Sequence, residues 1–450
     1  MAMLPVLAAL LLVRASYAID PDLDGDYCRT RRYPRCCEGR VDDCSVPILG
    51  TLCYCDSFCV RPENSDCCPD YLEVCHNITP TPYPRPSPLF TCTHEGRAYS
   101  LGSSIRINCN RCTCREVYPG RVEFECLDRP CLIRHDLIRD INEGDFGWKA
   151  TNYSFFYGKL LEEGIRYYLG THQPERDTEK MSELHLVRQE PLDERFDSRE
   201  RWPGLVGMIR DQEECGSSWA FSTTAVAADR LAIQSRGRDS AELSPQDLLS
   251  CLDPREGPCN GGHVDRAWRY LMNYGGVTEH CYQYTSGRNN ATTQCLIRER
   301  KKPGNELVCP SGIQGTKYFS TPPYRVPPHE EAIMLEIQTN GPVQAVIHVR
   351  EDFFVYNRGV YRHTRLSNHL PAQFQQSGWH SIRIIGWGTD RGRKYWLCAN
   401  SWGEKWGEGG YFRIARGENE SQVESFVLAV WGRCWPYHRQ GHRSEGPVNN

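Results

Sequence analysis

The sequence predicts small disulfide-rich modules at the N-terminal end and one larger unit of mixed α and β structure after them. Its 24 cysteines fall into groups of ten (Cys28 to Cys75), six (Cys92 to Cys131) and eight (Cys215 to Cys434). Short segments this rich in cysteine need disulfides, because they cannot bury enough apolar surface to fold unaided. In the third group the cysteines are widely spaced, periodic apolar segments appear, and we expect an ordinary globular core.

The first 18 residues predict a secretory signal peptide. Met3 to Val13 form an apolar run too short to span a bilayer, and the small residues of a cleavage site follow at Ser16-Tyr17-Ala18. A buried N-terminal helix is the alternative, but a chain with 24 cysteines fits an oxidising secretory compartment better. We expect no membrane span. Four N-x-[ST] sequons are candidate glycosylation sites: Asn77, Asn152, Asn290 and Asn419.

The charge pattern argues against nucleic acid as a partner, because the formal net charge is −4. One short basic run, Arg298-Glu299-Arg300-Lys301-Lys302, is either a solvated loop or a weak site for sulfated polysaccharide. We expect no cofactor and no metal site, because zinc would need reduced thiolates and a secreted chain favours disulfides.

The two N-terminal cysteine groups predict two modules joined by a linker. In residues 19–76 the spacing from Cys53 to Cys75, with the adjacent pair Cys67-Cys68, resembles a somatomedin-B domain. Residues 77–91 alternate proline with other residues, which favours an extended spacer. The six cysteines of residues 92–131 resemble a von Willebrand factor C or follistatin-like module. Both modules are either spacers or binding units, and folded modules of secreted proteins more often bind.

Four short motifs in the larger unit carry chemistry. Residues 215–222 read CGSSWAFS, which fits the C-G-[SA]-C-[WY] pattern around a nucleophilic cysteine except that the nucleophile position holds Ser218. Gln212 stands six residues earlier, His380 lies in SGWHSI before an apolar strand pattern, and Asn400 lies in ANSWGEKWG. Acyl transfer through a thiol needs a nucleophile, an imidazole, a group that orients the imidazole and an oxyanion donor.

In their order and spacing these motifs resemble the papain superfamily, and residues 137–170 and 196–203 resemble its cathepsin B-like members. The resemblance implies an α+β fold of two lobes, with a propeptide segment at 132–195, a papain-like domain at 196–436 and a polar tail at 437–450. It also implies that His380 is the catalytic histidine, that Asn400 orients it, and that Gln212 is the oxyanion donor.

The same resemblance implies a substrate cleft. Trp219 follows the nucleophile position, Trp402 would shield the contact between histidine and asparagine, and Gly261 and Gly262 of the CNGG segment would let a peptide backbone approach the wall. The cysteine of that segment, Cys259, would form a disulfide with Cys215. The loop from Cys281 to Cys309 contains no histidine, so it lacks the pair with which cathepsin B receives a substrate's terminal carboxylate.

Serine at position 218 predicts loss of catalysis. A cysteine thiol has a pKa near 8.5 that a nearby imidazolium can lower, whereas a serine hydroxyl cannot be ionised in this way. Serine proteases instead align the hydroxyl, the base and the oxyanion donors for oxygen, and nothing in the sequence indicates such a re-arrangement. The other polar residues of the motifs could be retained for packing alone.

Taken along its whole length, the chain resembles the tubulointerstitial nephritis antigen family. The resemblance implies a secreted basement-membrane glycoprotein that acts as a matrix adaptor, with laminin, type IV collagen and integrin-type receptors as partners. The chain has no Arg-Gly-Asp tripeptide. Two alternatives stay open: a peptidase with residual hydrolysis through Ser218, and an inactive homologue that sequesters peptides or proteases. We expect the uncleaved propeptide segment to remain across the cleft in the adaptor.

Overall fold

The structure is a computed structural model that describes residues 25–48, 51–60, 66–78, 91–174, 181–188, 190–252, 259–289, 294–299 and 307–434. The predicted signal peptide, most of the linker, the sequon at Asn290, most of the basic run and the tail lie outside these residues. Among the described residues, no helix is both long and apolar enough to cross a membrane.

The strands and helices are as follows. The strands are β1 (Ser45–Ile48), β2 (Thr51–Tyr54), β3 (Thr91–His94), β4 (Arg97–Ser100), β5 (Ser104–Ile107), β6 (Asn110–Tyr118), β7 (Arg121–Cys126), β8 (Trp148–Ala150), β9 (Phe196–Asp197), β10 (Arg298–Glu299), β11 (Leu307–Val308), β12 (Gln314–Gly315), β13 (Tyr318–Ser320), β14 (Tyr324–Val326), β15 (Val343–Arg350), β16 (Tyr356–Tyr361), β17 (Ser377–Asp390), β18 (Arg393–Ala399), β19 (Tyr411–Ala415), β20 (Val427–Ala429) and β21 (Gly432–Cys434). The helices are α1 (Tyr71–His76), α2 (His135–Glu143), α3 (Leu161–Tyr168), α4 (Ser198–Arg201), α5 (Ser218–Gln234), α6 (Pro245–Cys251), α7 (Val264–Asn273), α8 (Ser286–Asn289) and α9 (Glu330–Asn340).

The chain divides into two compact units. One contains the residues up to Gly102 together with Cys114–Glu123, and the other contains Ser103–Thr113 and the residues from Phe124 onward. The division runs through the second predicted module, and the predicted domain boundaries stay predictions. In the first unit the small core consists mostly of cysteine, and the disulfides are Cys28–Cys55, Cys36–Cys75, Cys37–Cys44, Cys53–Cys68, Cys59–Cys67 and Cys92–Cys114.

The second unit contains two lobes with separate cores. In the sheet lobe the strands run in the order β14-β20-β15-β17-β18-β19-β16-β8, with β9 paired to β17. The long strand β17 lies in the middle because its residues 380–388 are buried and include three isoleucines and Trp387. In the helical lobe α5, α6 and α7 surround the other core. This mixture of helices and strands, preceded by disulfide-rich segments, confirms the predicted α+β class.

The propeptide-like segment is an integral layer of the sheet lobe. Its strand β8 pairs antiparallel with β16 at the sheet edge. Buried side chains of the segment, among them Leu137, Trp148 and Phe156, belong to the same hydrophobic core as the strands of the sheet. Burial of large aromatic side chains gives much of the free energy that holds an element in place, so this segment is not a loosely attached extension.

Disulfides also tie the second unit. They join Cys109–Cys131, Cys112–Cys126, Cys215–Cys259, Cys251–Cys295 and Cys281–Cys309. Cys398 is buried in β18 and has no disulfide partner among the described residues. Burial in apolar surroundings raises the pKa of this thiol well above its usual value.

Candidate functional site

Ser218 is the first residue of α5 and is fully buried. The disulfide between Cys215 and Cys259 fixes the chain just before it. Ser217, the neighbouring hydroxyl, hydrogen bonds to the Cys215 carbonyl oxygen at 3.2 Å and so does not replace Ser218 as a nucleophile. The predicted nucleophile position thus lies at the N-terminus of α5, where the helix dipole would stabilise a negatively charged thiolate. The serine hydroxyl at this position stays uncharged.

His380 and Asn400 come together between two neighbouring strands of the sheet. His380 lies on β17, Asn400 directly follows β18, and the imidazole Nε2 lies 2.7 Å from the amide Oδ1. The Trp402 ring covers this contact, with its centroid 5.0 Å from the imidazole centroid. Burial lowers the pKa of His380 to about 4, and the hydrogen bond to Asn400 opposes this shift only partly. At neutral pH the imidazole is uncharged.

Gln212, the predicted oxyanion donor, is held from both ends of its side-chain amide. Its Oε1 accepts a hydrogen bond from the Ser401 hydroxyl at 2.6 Å, and its Nε2 donates to the Cys215 carbonyl oxygen at 2.8 Å. The Nε2 also faces the Leu169 carbonyl oxygen at 3.5 Å, and the Ser218 amide donates to that same oxygen at 3.4 Å. The amide of Gln212, the predicted oxyanion donor, and the Ser218 backbone amide thus face the same carbonyl of the chain's own propeptide-like segment.

Residues 169–172, which we call the strap, run through the cleft. After α3 ends at Tyr168, the Trp402 indole donates to the Tyr168 carbonyl oxygen at 2.7 Å. The strap then hydrogen bonds to both cleft walls: Gly262 N to Gly170 O at 2.9 Å, His172 N to Gly262 O at 2.9 Å, and Thr171 N to Trp379 O at 3.1 Å. The strap occupies the groove as an added strand would, parallel to Gly262 and antiparallel to Trp379.

The Ser218 hydroxyl is engaged by the strap and not by the histidine. Its Oγ lies 2.8 Å from the Thr171 hydroxyl and accepts a weaker hydrogen bond from the Ser381 amide at 3.3 Å. The Nδ1 atom of His380 has no hydrogen-bond partner among the described residues. General-base activation of a hydroxyl needs a hydrogen bond between nucleophile and base, so this arrangement does not prepare Ser218 for attack.

The two glycines of the cleft wall leave room for different neighbours. A Cβ on Gly261, whose φ is +107°, would lie 2.9 Å from the Gly170 carbonyl oxygen and 2.6 Å from His172 Nε2. A Cβ on Gly262 would lie 2.4 Å from the Trp219 ring. Gly261 therefore lets a backbone lie close to the wall, and the chain itself supplies that backbone, whereas Gly262 leaves room for the Trp219 ring.

The three described sequons differ in their surroundings. Asn77 and Asn152 are exposed. Asn419 is also exposed, but its Nδ2 donates to the Ser425 hydroxyl at 2.8 Å and its Oδ1 accepts from the Glu424 amide at 3.1 Å. A glycan on Asn419 would be attached to this hydrogen-bonded Nδ2, whereas no side-chain hydrogen bond is seen for Asn77 and Asn152 among the described residues.

Thr171 is a residue of the cleft that the sequence did not identify. It lies in a polar stretch that resembles a linker, and its contact with Ser218 joins residues 47 positions apart in the chain. A hydroxyl in a polar stretch carries no signal of such a contact. The preceding Gly170, with φ of +90°, is compatible with a turn into the cleft, but it is one of 38 glycines in the sequence and does not stand out.

Comparison with known proteins agrees with this geometry. Residues 192–431 match the family model described as "Papain family cysteine protease". The chain is 44% identical over 428 residues to tubulointerstitial nephritis antigen-like from Mus musculus, covering 92% of this chain and 90% of that protein. It is 43% identical over 426 residues to tubulointerstitial nephritis antigen from Homo sapiens, covering 91% of this chain and 87% of that protein.

Among solved structures, procathepsin B S9 from Trypanosoma congolense aligns with a TM-score of 0.57 at 30% identity. The alignment covers 67% of this chain and 99% of that one. Together with the two lobes described above, these similarities confirm the predicted papain-like fold.

Proposed function

The chain belongs to the papain family of cysteine proteases and to its tubulointerstitial nephritis antigen branch, and from this premise we propose that it is a secreted matrix adaptor without peptidase activity. In this proposal the N-terminal modules bind partners, and the papain-like domain is a rigid support. Laminin, type IV collagen and integrin-type receptors are the partners that the family resemblance implies, and the basement membrane is the expected location.

One observation carries the non-catalytic part of the proposal. The residue at the nucleophile position is a serine whose Oγ lies 2.8 Å from the Thr171 hydroxyl of the strap and is fully buried. Substrate would have to displace the strap before it reached Ser218, and the hydroxyl would then still lack a thiolate's reactivity.

The two alternatives receive less support from the same geometry. A peptidase acting through Ser218 needs an open cleft and a hydrogen bond from the hydroxyl to His380, whereas His380 Nδ1 has no partner among the described residues. A homologue that sequesters peptides or proteases through its groove needs that groove empty, and the strap already forms the wall contacts with Gly262 and Trp379 that a bound peptide would form.

A hydrolysis assay tests the non-catalytic role. The purified secreted chain would be incubated with a broad peptide library at acid and neutral pH, beside a Ser218→Ala variant that removes only the hydroxyl. We expect the two proteins to be indistinguishable from buffer. Cleavage by the unchanged chain that Ser218→Ala abolishes would establish Ser218 as a working nucleophile and contradict the proposal.

The adaptor role needs its own test. The full-length chain would be passed over immobilised laminin and immobilised type IV collagen, with serum albumin as the control surface. We expect saturable binding to at least one of the two matrix proteins. Equal, non-saturable signals on all three surfaces would contradict the adaptor role for these partners.

A further inference from the structure

A short loop of the first unit concentrates arginine around one exposed tyrosine. Between Cys28 and Cys36 the sequence reads RTRRYPR, so four of seven residues are arginine. We call residues 29–35 the arginine loop. None of the chemistry discussed above uses it.

The base of this loop is fixed. The buried carboxylate of Asp70 accepts hydrogen bonds from three successive backbone amides, those of Tyr27 at 2.8 Å, Cys28 at 2.9 Å and Arg29 at 3.1 Å. Disulfides from Cys28 and Cys36 hold the two ends. The loop therefore starts and ends at covalently constrained positions.

Arg31 fixes the conformation of the loop from within. Its guanidinium donates to the Pro34 carbonyl oxygen at 2.9 Å and to the Asp43 carbonyl oxygen at 2.9 Å. One arginine of the loop is thus used to order the backbone that presents the others. A loop ordered before binding loses less conformational entropy when a partner binds.

Three side chains of the loop are exposed to solvent. Tyr33 is 97% exposed, and Arg32 and Arg35 are exposed without a carboxylate partner among the described residues. Arg29 differs, because it forms ion pairs with Asp26 at 3.2 Å and Glu73 at 2.6 Å. The exposed tyrosine is not buried in the module, and the two arginines form no ion pair with a carboxylate among the described residues, so neither burial nor ion pairing of these side chains stabilises the module there.

We propose that Arg32, Tyr33 and Arg35 form a docking site for an acidic protein surface, and this inference rests on the proposed adaptor role. Tyrosine and arginine are the residue types that most often dominate binding at protein interfaces. Tyrosine offers a large contact area at low entropic cost, and a guanidinium pairs with a carboxylate through two parallel hydrogen bonds. The partner surface that would fit this site is a shallow apolar depression flanked by carboxylates.

The surroundings of the loop favour a protein over a sulfated polysaccharide. Asp43, whose backbone contacts Arg31, has an exposed carboxylate, and the carboxylates of Asp26 and Glu73 lie beside Arg29. A uniformly anionic chain would carry negative charge past these carboxylates as well as past the arginines, whereas a folded partner can place its carboxylates only opposite Arg32 and Arg35.

The test uses the full-length chain, with immobilised laminin, type IV collagen and heparin as probes. The loop variants are Tyr33→Ala and the double variant Arg32→Glu/Arg35→Glu. Tyr118→Ala, which removes another strongly exposed tyrosine of the same unit, is the matched control. We expect each loop variant to raise Kd for the bound matrix protein about tenfold or more. The double variant should also lose most of the salt dependence of association, and the control should bind as the unchanged chain does.

The outcomes separate this inference from the adaptor role. Matrix binding that the loop variants retain in full overturns the docking site and leaves the adaptor role standing. Binding of the unchanged chain to neither matrix protein overturns the adaptor role for these partners, and the docking site falls with it. Heparin binding that Arg32→Glu/Arg35→Glu abolishes, with matrix-protein binding unaffected, makes the loop a polysaccharide site and overturns the protein assignment.

Discussion

Replacing Gly170 with alanine should release the strap from the cleft. Gly170 has φ of +90°, and a Cβ there would lie 2.1 Å from the carbonyl carbon and oxygen of Gly216. Gly216 cannot move aside, because it follows Cys215 and its disulfide to Cys259. The strap must therefore shift away from the wall.

The size of the effect follows from the hydrogen bonds that the shift breaks. Three backbone hydrogen bonds join the strap to Gly262 and Trp379: Gly262 N to Gly170 O, His172 N to Gly262 O and Thr171 N to Trp379 O. Each contributes a net free energy of about 1 kcal/mol. Their loss favours the open state by about 3 kcal/mol, which corresponds to a rise of about 100-fold in the open fraction.

Alkylation of a cysteine placed at position 218 measures this opening. In a Ser218→Cys variant the strap covers the thiol, so iodoacetamide reacts with it only when the strap is open. Mass spectrometry of the labelled peptide then gives the labelling rate, which reports the fraction of molecules with an open strap. Gly158→Ala is the matched control, because Gly158 has φ of +85° but its Cβ would meet only one atom, 4.0 Å away. We expect Gly170→Ala to accelerate labelling about 100-fold and Gly158→Ala to change it little. Equal labelling rates in the unchanged background and in Gly170→Ala would refute the reasoning.

Three further predictions concern stability. Burial lowers the pKa of His380 to about 4 from 6.5. Between these pH values the unfolded chain therefore binds more protons than the folded chain. As the pH drops from 6.5 to about 4, the free energy of unfolding measured by urea titration should fall by up to about 3 kcal/mol. The His380→Gln variant should not show this decline. Asn108→Ala removes the hydrogen bonds to Gly158 N and Ile133 O and should cost about 1–3 kcal/mol in the same titration; an unchanged midpoint would contradict this. Arg230→Met removes the guanidinium that lies 2.7 Å from buried Glu336 and should lower the free energy of unfolding by about 3–5 kcal/mol. If the unpaired charge of Glu336 is the cause, the double variant Arg230→Met/Glu336→Leu should regain most of that loss.

Much of the cleft could be predicted from the sequence because its parts lie in short motifs. The residues around Ser218 and around Asn400 each stand next to one another in the sequence, so each motif can be recognised from the sequence alone. The path of residues 169–172 could not be read in this way. It depends on backbone hydrogen bonds to Gly262 and Trp379, and backbone groups are the same for every residue type.

The second unit contains other arrangements that the sequence did not reveal. Asp352 is fully buried and accepts hydrogen bonds from Tyr361 at 2.6 Å and from the Thr364 amide at 2.8 Å, and His363 lies 3.1 Å away. The pKa of His363 is raised by that carboxylate in spite of burial. Charged residues in a sequence are most often exposed, so nothing in the letters distinguishes Asp352 from a surface aspartate.

The central claim is that the chain's own residues close the cleft. Hydrogen exchange of the strap amides is the most direct test of this claim. The amides of Thr171 and His172 donate to the Trp379 and Gly262 carbonyl oxygens. In exchange measured by mass spectrometry on the secreted full-length chain, we expect peptides that contain these amides to be protected as strongly as those from β15 and β17. Exchange of the strap amides at the rate of an unstructured peptide, with β15 and β17 still protected, would contradict the closed cleft.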